Sequence, residues 1–155
     1  MDIRSAGLAD LPAILALQKR AFRAEAELVG DDTIPPLTQT LDGLTADLAA
    51  GVILKAVEDG VIVGSVRGRL QEETLHIGRL MVDPPSQNRG LGTALLRHLE
   101  ALYPRQRYEL FTSDLSAQNL SLYTRCGYRE FDRRPLNDTV TLVFLEKSVH
   151  PDRAG

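Results

Sequence analysis

The chain is poor in several things that would have fixed its class at once. Among its 155 residues there is one cysteine, Cys126, so no internal disulfide can form, which suits a reducing compartment. Nor is there an excess of positive charge: 18 Lys and Arg stand against 21 Asp and Glu, a net charge of −3. A nucleic-acid partner, whose phosphates demand a basic face, therefore has no electrostatic support. No apolar run approaches the roughly 20 residues of a membrane span, and the opening MDIRSAGLAD lacks the apolar stretch of a secretory signal. Histidines and acids nowhere take the spacing of metal ligands, so no metal is expected. Internal repeats and low-complexity tracts are missing too. What remains is one globular domain, expected in the cytoplasm, with 43% hydrophobic and 25% charged residues and enough chain to bury a core.

Patterning along the chain alternates strands with helices. A short strand is expected near Asp2 to Arg4, then a helix capped by Asp10, with Pro12 where its missing N–H costs nothing. Leu11, Ile14, Leu15, Gln18 and Phe22 fall on one stripe of it, all apolar except Gln18. Gly30 to Thr38, with Ile34-Pro35-Pro36-Leu37, reads as a shaped, non-helical loop. Leu41, Leu44 and Leu48 mark a second helix. Val52 to Val57, a turn at Asp59-Gly60 and Val61 to Leu70 form a hairpin signature. Further strands are expected at Glu73 to Val82, Tyr108 to Thr112, Tyr128 to Asp132 and Thr139 to Glu146, with helices at Gly90 to Leu102 and Ala117 to Arg125. The fold class is α/β: a mixed, mostly antiparallel sheet of about seven strands with about four helices. The domain is expected to span 1–148, with 149–155 a frayed tail.

The most informative stretch is Leu80-Met81-Val82-Asp83-Pro84-Pro85-Ser86-Gln87-Asn88-Arg89-Gly90-Leu91-Gly92-Thr93. A strand ends, a loop carries two glycines, and a helix begins. The first turn of a helix leaves N–H groups unpaired at its positive end, so it attracts phosphate. Gly90 and Gly92 have no side chains to hold a pyrophosphate off those amides, and Asn88, Arg89 and Thr93 add side-chain donors. The nucleotide-hydrolase loop is excluded, because no Gly-Lys pair occurs anywhere. The dinucleotide fingerprint fails as well, because Leu95 stands where its third glycine belongs. A polar turn that uses glycine for geometry alone, or a different phosphate-ligand domain holding a nucleotide, are the other readings.

Gln87-x-x-Gly90-x-Gly92 after a strand ending Leu80-x-Val82 resembles the acetyl-CoA-binding motif of the GNAT acetyltransferases. About thirty residues on, Leu122-Tyr123-Thr124-Arg125-Cys126-Gly127-Tyr128 resembles that family's second cofactor element, in the right order. The resemblance covers Ile3 to about Leu145, with diagnostic residues in Leu75 to Tyr128. It implies a single-domain GNAT-like fold and an N-acetyltransferase that moves an acetyl group from acetyl-CoA to a primary amine by direct attack. It also implies that the pyrophosphate sits on Gln87, Asn88, Arg89, Gly90, Leu91, Gly92 and Thr93. The pantetheine arm would lie along Leu80, Met81 and Val82 like an added strand, with an N–H near Leu80 facing the thioester oxygen. Tyr123 would protonate the departing thiolate, for which a phenol with pKa near 10 is suited. Where many members carry an asparagine that bonds the pantetheine, seven residues before the tyrosine, this chain has Ser116. Either Ser116 does that job or Asn119 has taken it over; Asn119 is the expectation.

The base that deprotonates the amine is less legible. The glutamate that ribosomal-protein acetyltransferases of the family use corresponds here to Phe111. His76, on the strand leading to the loop, is the candidate, with an unperturbed pKa near 6.5; a solvent-facing strand histidine is the other reading. Glu25, Glu27, Glu73 and water are the alternatives. Glu25, Glu27, Asp31 and Asp32 cluster where the family binds its acceptor. Such a cluster either favours a cationic amine or is a solvated face. The acceptor, a small-molecule or a protein amine, is not readable. A non-catalytic acyl-CoA-sensing module is the alternative function, and an exposed strand edge near the C-terminus is a surface that could form a homodimer.

Overall fold

The stretches of alternating apolar residues all pair into one sheet. In the computed structural model, which describes residues 1–148, β1 (Asp2–Ser5), β2 (Val52–Glu58), β3 (Val61–Gln71), β4 (Thr74–Val82), β5 (Arg107–Ser113), β6 (Arg129–Pro135) and β7 (Thr141–Ser148) lie in the order β1-β2-β3-β4-β5-β7-β6. Every pairing is antiparallel except β4 with β5. The tail expected over 149–155 lies outside the described residues. The β2–β3 hairpin turns at Asp59 and Gly60, both at positive φ (53° and 78°), as a tight two-residue turn between right-twisting strands requires.

Among the described residues six α-helices accompany the sheet where about four were expected: α1 (Leu11–Ala21), α2 (Arg23–Val29), α3 (Pro35–Thr38), α4 (Leu41–Ala50), α5 (Leu91–Leu102) and α6 (Ala117–Arg125). Two local causes account for the difference. The first helix breaks at Phe22 (φ −89°, ψ 4°), so its continuation is a separate short helix closed by Gly30 in the left-handed conformation. The proline segment, read as non-helical, contains one turn, because Pro35 and Pro36 sit at its first positions. There they give up only N–H groups that lack helical acceptors anyway. Asp10 differs too. Its carboxylate accepts from the Gly7 N–H at 2.9 Å and from Lys55 Nζ at 2.9 Å, so it closes the turn before α1 rather than capping α1 itself.

Helices cover both faces of the sheet. On one, Leu11, Ile14 and Leu17 of α1 and Leu44 of α4 pack with Ile53 and Met81. On the other, Leu91, Leu95, Leu96 and Leu99 of α5 pack over Leu54, Ala56, Val66, Leu75 and Tyr108. Gly64 and Gly68 of β3 let α5 approach closely: a Cβ there would stand 3.0 Å from Leu95 Cδ1 and 3.2 Å from Leu99 Cδ1 respectively. Among the described residues no helix is long and apolar enough to cross a membrane. The C-terminal half of the sheet ends on β6, whose Arg129, Glu130, Asp132, Arg133, Arg134 and Pro135 are residues that discourage strand addition.

Two features of β4 prepare a site. It pairs with β5 only over Thr74–His76, opposite Arg107–Glu109, so from Ile77 onward the two strands part and the sheet opens like a V. Within the open stretch β4 bulges, its register against β3 stepping from Gly78 opposite Arg67 to Met81 opposite Ser65. Arg79, at the bulge, has φ 51°. A bulge leaves backbone groups unpaired and re-aims the chain.

Candidate active site

A first cleft of about 650 Å³ runs from the mouth of the V to the start of α5 and α6. Its floor is the open edge of β4 at Leu80, Met81 and Val82, and its end wall is Gln87, Asn88, Gly90, Leu91, Gly92 and Thr93. Asn88 (φ 65°) and Gly90 (φ 81°) both take left-handed conformations, which bend the chain so that α5 starts at the cleft. The first N–H groups of that helix have no helical acceptor and carry its positive end. A Cβ on Gly92 would lie 3.2 Å from Leu122 Cδ2, so the absence of a side chain keeps the passage between α5 and α6 open. Gln87 Nε2 donates to the Val82 carbonyl at 3.2 Å, fixing the loop to the strand it leaves. Arg89 turns away: it pairs with Glu58 and does not line the cleft.

A second cleft of about 680 Å³ opens on the other side of β4. Phe22, Glu25, Leu80 and Asn119 line both, so the two clefts share a wall. Tyr123 lines the second beside that wall and is 6% exposed. Burial, with smaller contributions from Glu25 and Cys126, drives its phenol pKa upward, so the hydroxyl stays protonated throughout the neutral range. Asn119 donates to Thr112 Oγ1 at 3.3 Å, tying α6 to β5. Ser116, at the start of α6, lines the first cleft with Asn119.

Beneath the second cleft lies a buried polar network. Gln18, the polar member of the α1 stripe, is fully buried; its Nε2 donates to the Pro36 carbonyl at 2.9 Å and to Gln39 Oε1 at 3.0 Å. Arg67 of β3 donates to Gln18 Oε1, to Gln39 Oε1 at 3.1 Å and to Asp47 Oδ2 at 2.6 Å. Burial and the neighbouring Arg79 push the Arg67 guanidinium down to about 10. It is still a cation at neutral pH, and it is paired. Arg79 differs: burial lowers its pKa too, yet among the described residues no hydrogen bond or ion pair holds it.

The candidates from sequence thus separate. Leu80, Met81, Val82, Gln87, Asn88, Gly90, Leu91, Gly92, Thr93 and Asn119 line the first cleft, while Tyr123 and His76 line the second. His76 Nδ1 lies 3.8 Å from Glu109 Oε2. Of the acidic cluster only Glu25 reaches either cleft. Glu27, Asp31 and Asp32 are exposed, and Asp31 accepts from the N–H and hydroxyl of Thr33, which lower its pKa. Glu73 is exposed and lines neither cleft. Sequence reading missed Arg67, Arg79 and Ser113. The available signal was an arginine inside each of two apolar strands, Val63-Gly64-Ser65-Val66-Arg67 and Ile77-Gly78-Arg79-Leu80, since a charge in such a strand is seldom idle.

Comparison with known proteins bears on this geometry. The model of the acetyltransferase (GNAT) family matches residues 11–128. Among curated proteins, UPF0157 protein YqkA of Bacillus subtilis (strain 168) is 28% identical over 118 residues, 76% of this chain. The chain spans about a third of that relative's length, 34%. The fold is shared with the PaiA N-acetyltransferase of Thermoplasma acidophilum in complex with coenzyme A (TM-score 0.81, 15% identity, 95% of this chain and 98% of that one). It is shared also with yncA of Salmonella typhimurium, solved with acetyl-CoA (TM-score 0.75, 21% identity, 96% and 94%). A ribosomal-protein-alanine N-acetyltransferase of Brucella melitensis is similar to the same degree (TM-score 0.75, 21% identity, 96% and 100%).

Proposed function

The chain belongs to the GNAT acetyltransferase family, and we propose that it moves an acetyl group from acetyl-CoA onto a primary amine by direct attack. The observation that carries this reading is the shared wall: a long cleft ending at a helix N-terminus meets a second cleft at Leu80 and Asn119, with Tyr123 beside the junction. The first cleft fits the coenzyme. Side-chain-free Gly92 and the unpaired amides of the first turn of α5 suit a pyrophosphate. The unpaired edge of β4 from Ile77 to Val82 suits the two amides of a pantetheine arm. When bound, acetyl-CoA supplies a thioester whose carbonyl carbon can be attacked.

The residues of the chain do the rest. The bulge at Arg79 and Leu80 supports an N–H donor for the carbonyl oxygen as negative charge grows there. The amine forms its N–C bond as the C–S bond breaks, and the amide and free thiol are the products. The amine's proton passes to Glu25, which lines both clefts, or to His76 through water; Tyr123 gives its proton to the departing sulfur. Titration with acetyl-CoA, ATP and NAD tests the cofactor, with heat expected for acetyl-CoA alone. An amine panel monitored by release of free thiol tests the chemistry. Binding without thiol release on any amine would instead support a module that senses acyl-CoA.

A further inference from the structure

The unpaired charge in the second cleft bears on the acceptor. Among the described residues three buried side-chain polar atoms lack a hydrogen-bond partner: Arg67 Nε, Arg79 Nε and Ser113 Oγ. All three residues line this cleft. Ser113 and Arg67 are 5% and 8% exposed, so water at the outer surface does not satisfy them. Buried polar groups are nearly always paired, and a set of unpaired ones around one cavity points to a missing partner. That partner must be an acceptor of hydrogen bonds, because Arg67 Nε and Arg79 Nε can only donate. It must also be anionic. The charged side chains along the cleft are Arg67, Arg69, Arg79, Asp47 and Glu25. Arg67 already neutralises Asp47 at 2.6 Å, and Arg69 donates to Gln71 at its exposed end. Arg79 feels Asp47 only at a distance and makes no ion pair or side-chain hydrogen bond among the described residues, while Glu25 stands apart on the wall shared with the coenzyme cleft.

Resting on the acyl-transfer reading, we propose that the acceptor is a small zwitterion of amino-acid type, its carboxylate held by Arg79 and Ser113 and its amine directed toward Glu25. A guanidinium presents parallel N–H donors that match a carboxylate in two-pronged fashion, and the Ser113 hydroxyl adds a third donor. Val29, Ile34, Leu136, Val140 and Leu142 give the cleft an apolar wall, which suits an aliphatic or aromatic body between the two charges. The same arrangement disfavours polycations: a polyamine or aminoglycoside would bring ammonium groups against Arg79. An amine with no anionic group would seal Arg79 away from water without a partner, which is costly.

The test uses binding and turnover separately. N-acetyl derivatives of leucine, methionine and phenylalanine, and the carboxamide of each, are titrated calorimetrically into the protein with and without saturating coenzyme A. At least one acid should bind about tenfold or more tighter than its carboxamide. Arg79→Gln should erase that preference and Arg79→Lys should retain part of it, with the far-UV spectrum and Tm of each variant measured alongside. In the thiol-release assay the free amino acids should exceed their amides and spermidine in kcat/KM. Equal binding of acid and amide, binding by none of the acids, or a preference that survives Arg79→Gln would overturn the proposal, and the wild-type comparison needs no variant to fold. Acid preference without coenzyme A binding would leave the carboxylate site standing and defeat the acyl-transfer reading. Thiol release from amines of every charge would do the reverse.

Discussion

The two clefts that meet at Leu80 and Asn119 are made of different material. The first cleft is built largely of backbone: an unpaired strand edge, two left-handed loop residues, and the first turn of α5 with a glycine where a side chain would intrude. One continuous stretch, Leu80 to Thr93, supplies its floor and end wall. The second cleft is built of side chains gathered from α2, α3, α4, α6, β3, β4, β5 and the turn before β7. Its charges are set by a network that joins α1, α4 and β3. A ligand common to a whole family is held by geometry that many sequences can supply. On the reading proposed above, the ligand that distinguishes one member is held by a few charges whose partners lie far apart in the chain.

If that contrast is sound, each cleft can be disabled without the other. Gly92→Glu should have the largest effect: a side chain and a negative charge beside the helix start should abolish coenzyme A binding in calorimetry. Carboxylate binding in the second cleft should persist in the same folded protein. Arg67→Met attacks the other side. It removes the cation that satisfies Gln18, Gln39 and Asp47, and should cost about 3 kcal/mol in denaturant unfolding. Acid preference should vanish while the remaining folded protein still binds coenzyme A.

Tyr123→Phe probes the junction. It keeps the ring that packs near Tyr128, at 6.2 Å between centroids, and removes only the hydroxyl. Because a thiolate is already a tolerable leaving group, kcat should fall about 10²-fold, with acetyl-CoA affinity and Tm almost unchanged. Activity within twofold of wild type would mean that Tyr123 only fills space. Glu25→Gln and His76→Ala separate the two candidate bases by pH–rate profiles. Loss of the true base should depress turnover about tenfold or more at neutral pH and recover at high pH, where free amine is plentiful. A profile parallel to wild type removes that residue from the mechanism.

The smallest effect is expected far from both clefts. The Gly7 N–H, and after it Lys55, hold the Asp10 carboxyl below its ordinary pKa of 3.8. A depressed carboxylate pKa contributes stability above the unfolded value, and that contribution fades as pH falls through the folded one. Asp10→Asn should therefore cost roughly 0.5 kcal/mol at neutral pH, and the difference from wild type should shrink below about pH 4. Acid unfolding of the two proteins, followed side by side, checks it.

The same contrast governs what was legible in the sequence. Strand periodicity, the Asp59-Gly60 turn and the bounds of α6 could be read because each depends on neighbours in the chain. The loop and helix start over Gln87 to Thr93 could be read for the same reason, except at Arg89, whose pairing with Glu58 on β2 takes it out of the cleft lining. The splitting of the first helix at Phe22 and the turn at Pro35 were not read, since one is a single non-helical ψ inside an unbroken apolar stripe and the other a helical turn in a segment whose prolines suggest a loop. Arg79 and Ser113 were invisible as a pair: they lie on different strands, and only the parting of β4 from β5 turns them toward one cavity. Gln18 looked like a flaw in an apolar stripe and is instead the anchor of the network under Arg67.

The parting of β4 from β5 also bears on how the molecule is assembled. Strands β1 to β4 come from residues 2–82 and strands β5 to β7 from 107–148, so each half-sheet is contiguous in sequence and can form from its own local contacts. Three residue pairs join the halves; beside them α5, whose leucines share one core cluster with residues of both half-sheets, accepts at Glu100 from Lys147 at 2.8 Å and from Tyr128 at 2.7 Å. The seam between the two half-sheets runs into the first cleft, whose lining takes Leu80, Met81 and Val82 from one half and Ser116, Ala117 and Asn119 from the other. A ligand lying in that cleft contacts both halves at once and acts as mortar. Occupancy should convert two partly independent unfolding events into one cooperative transition, raised further as ligand concentration rises.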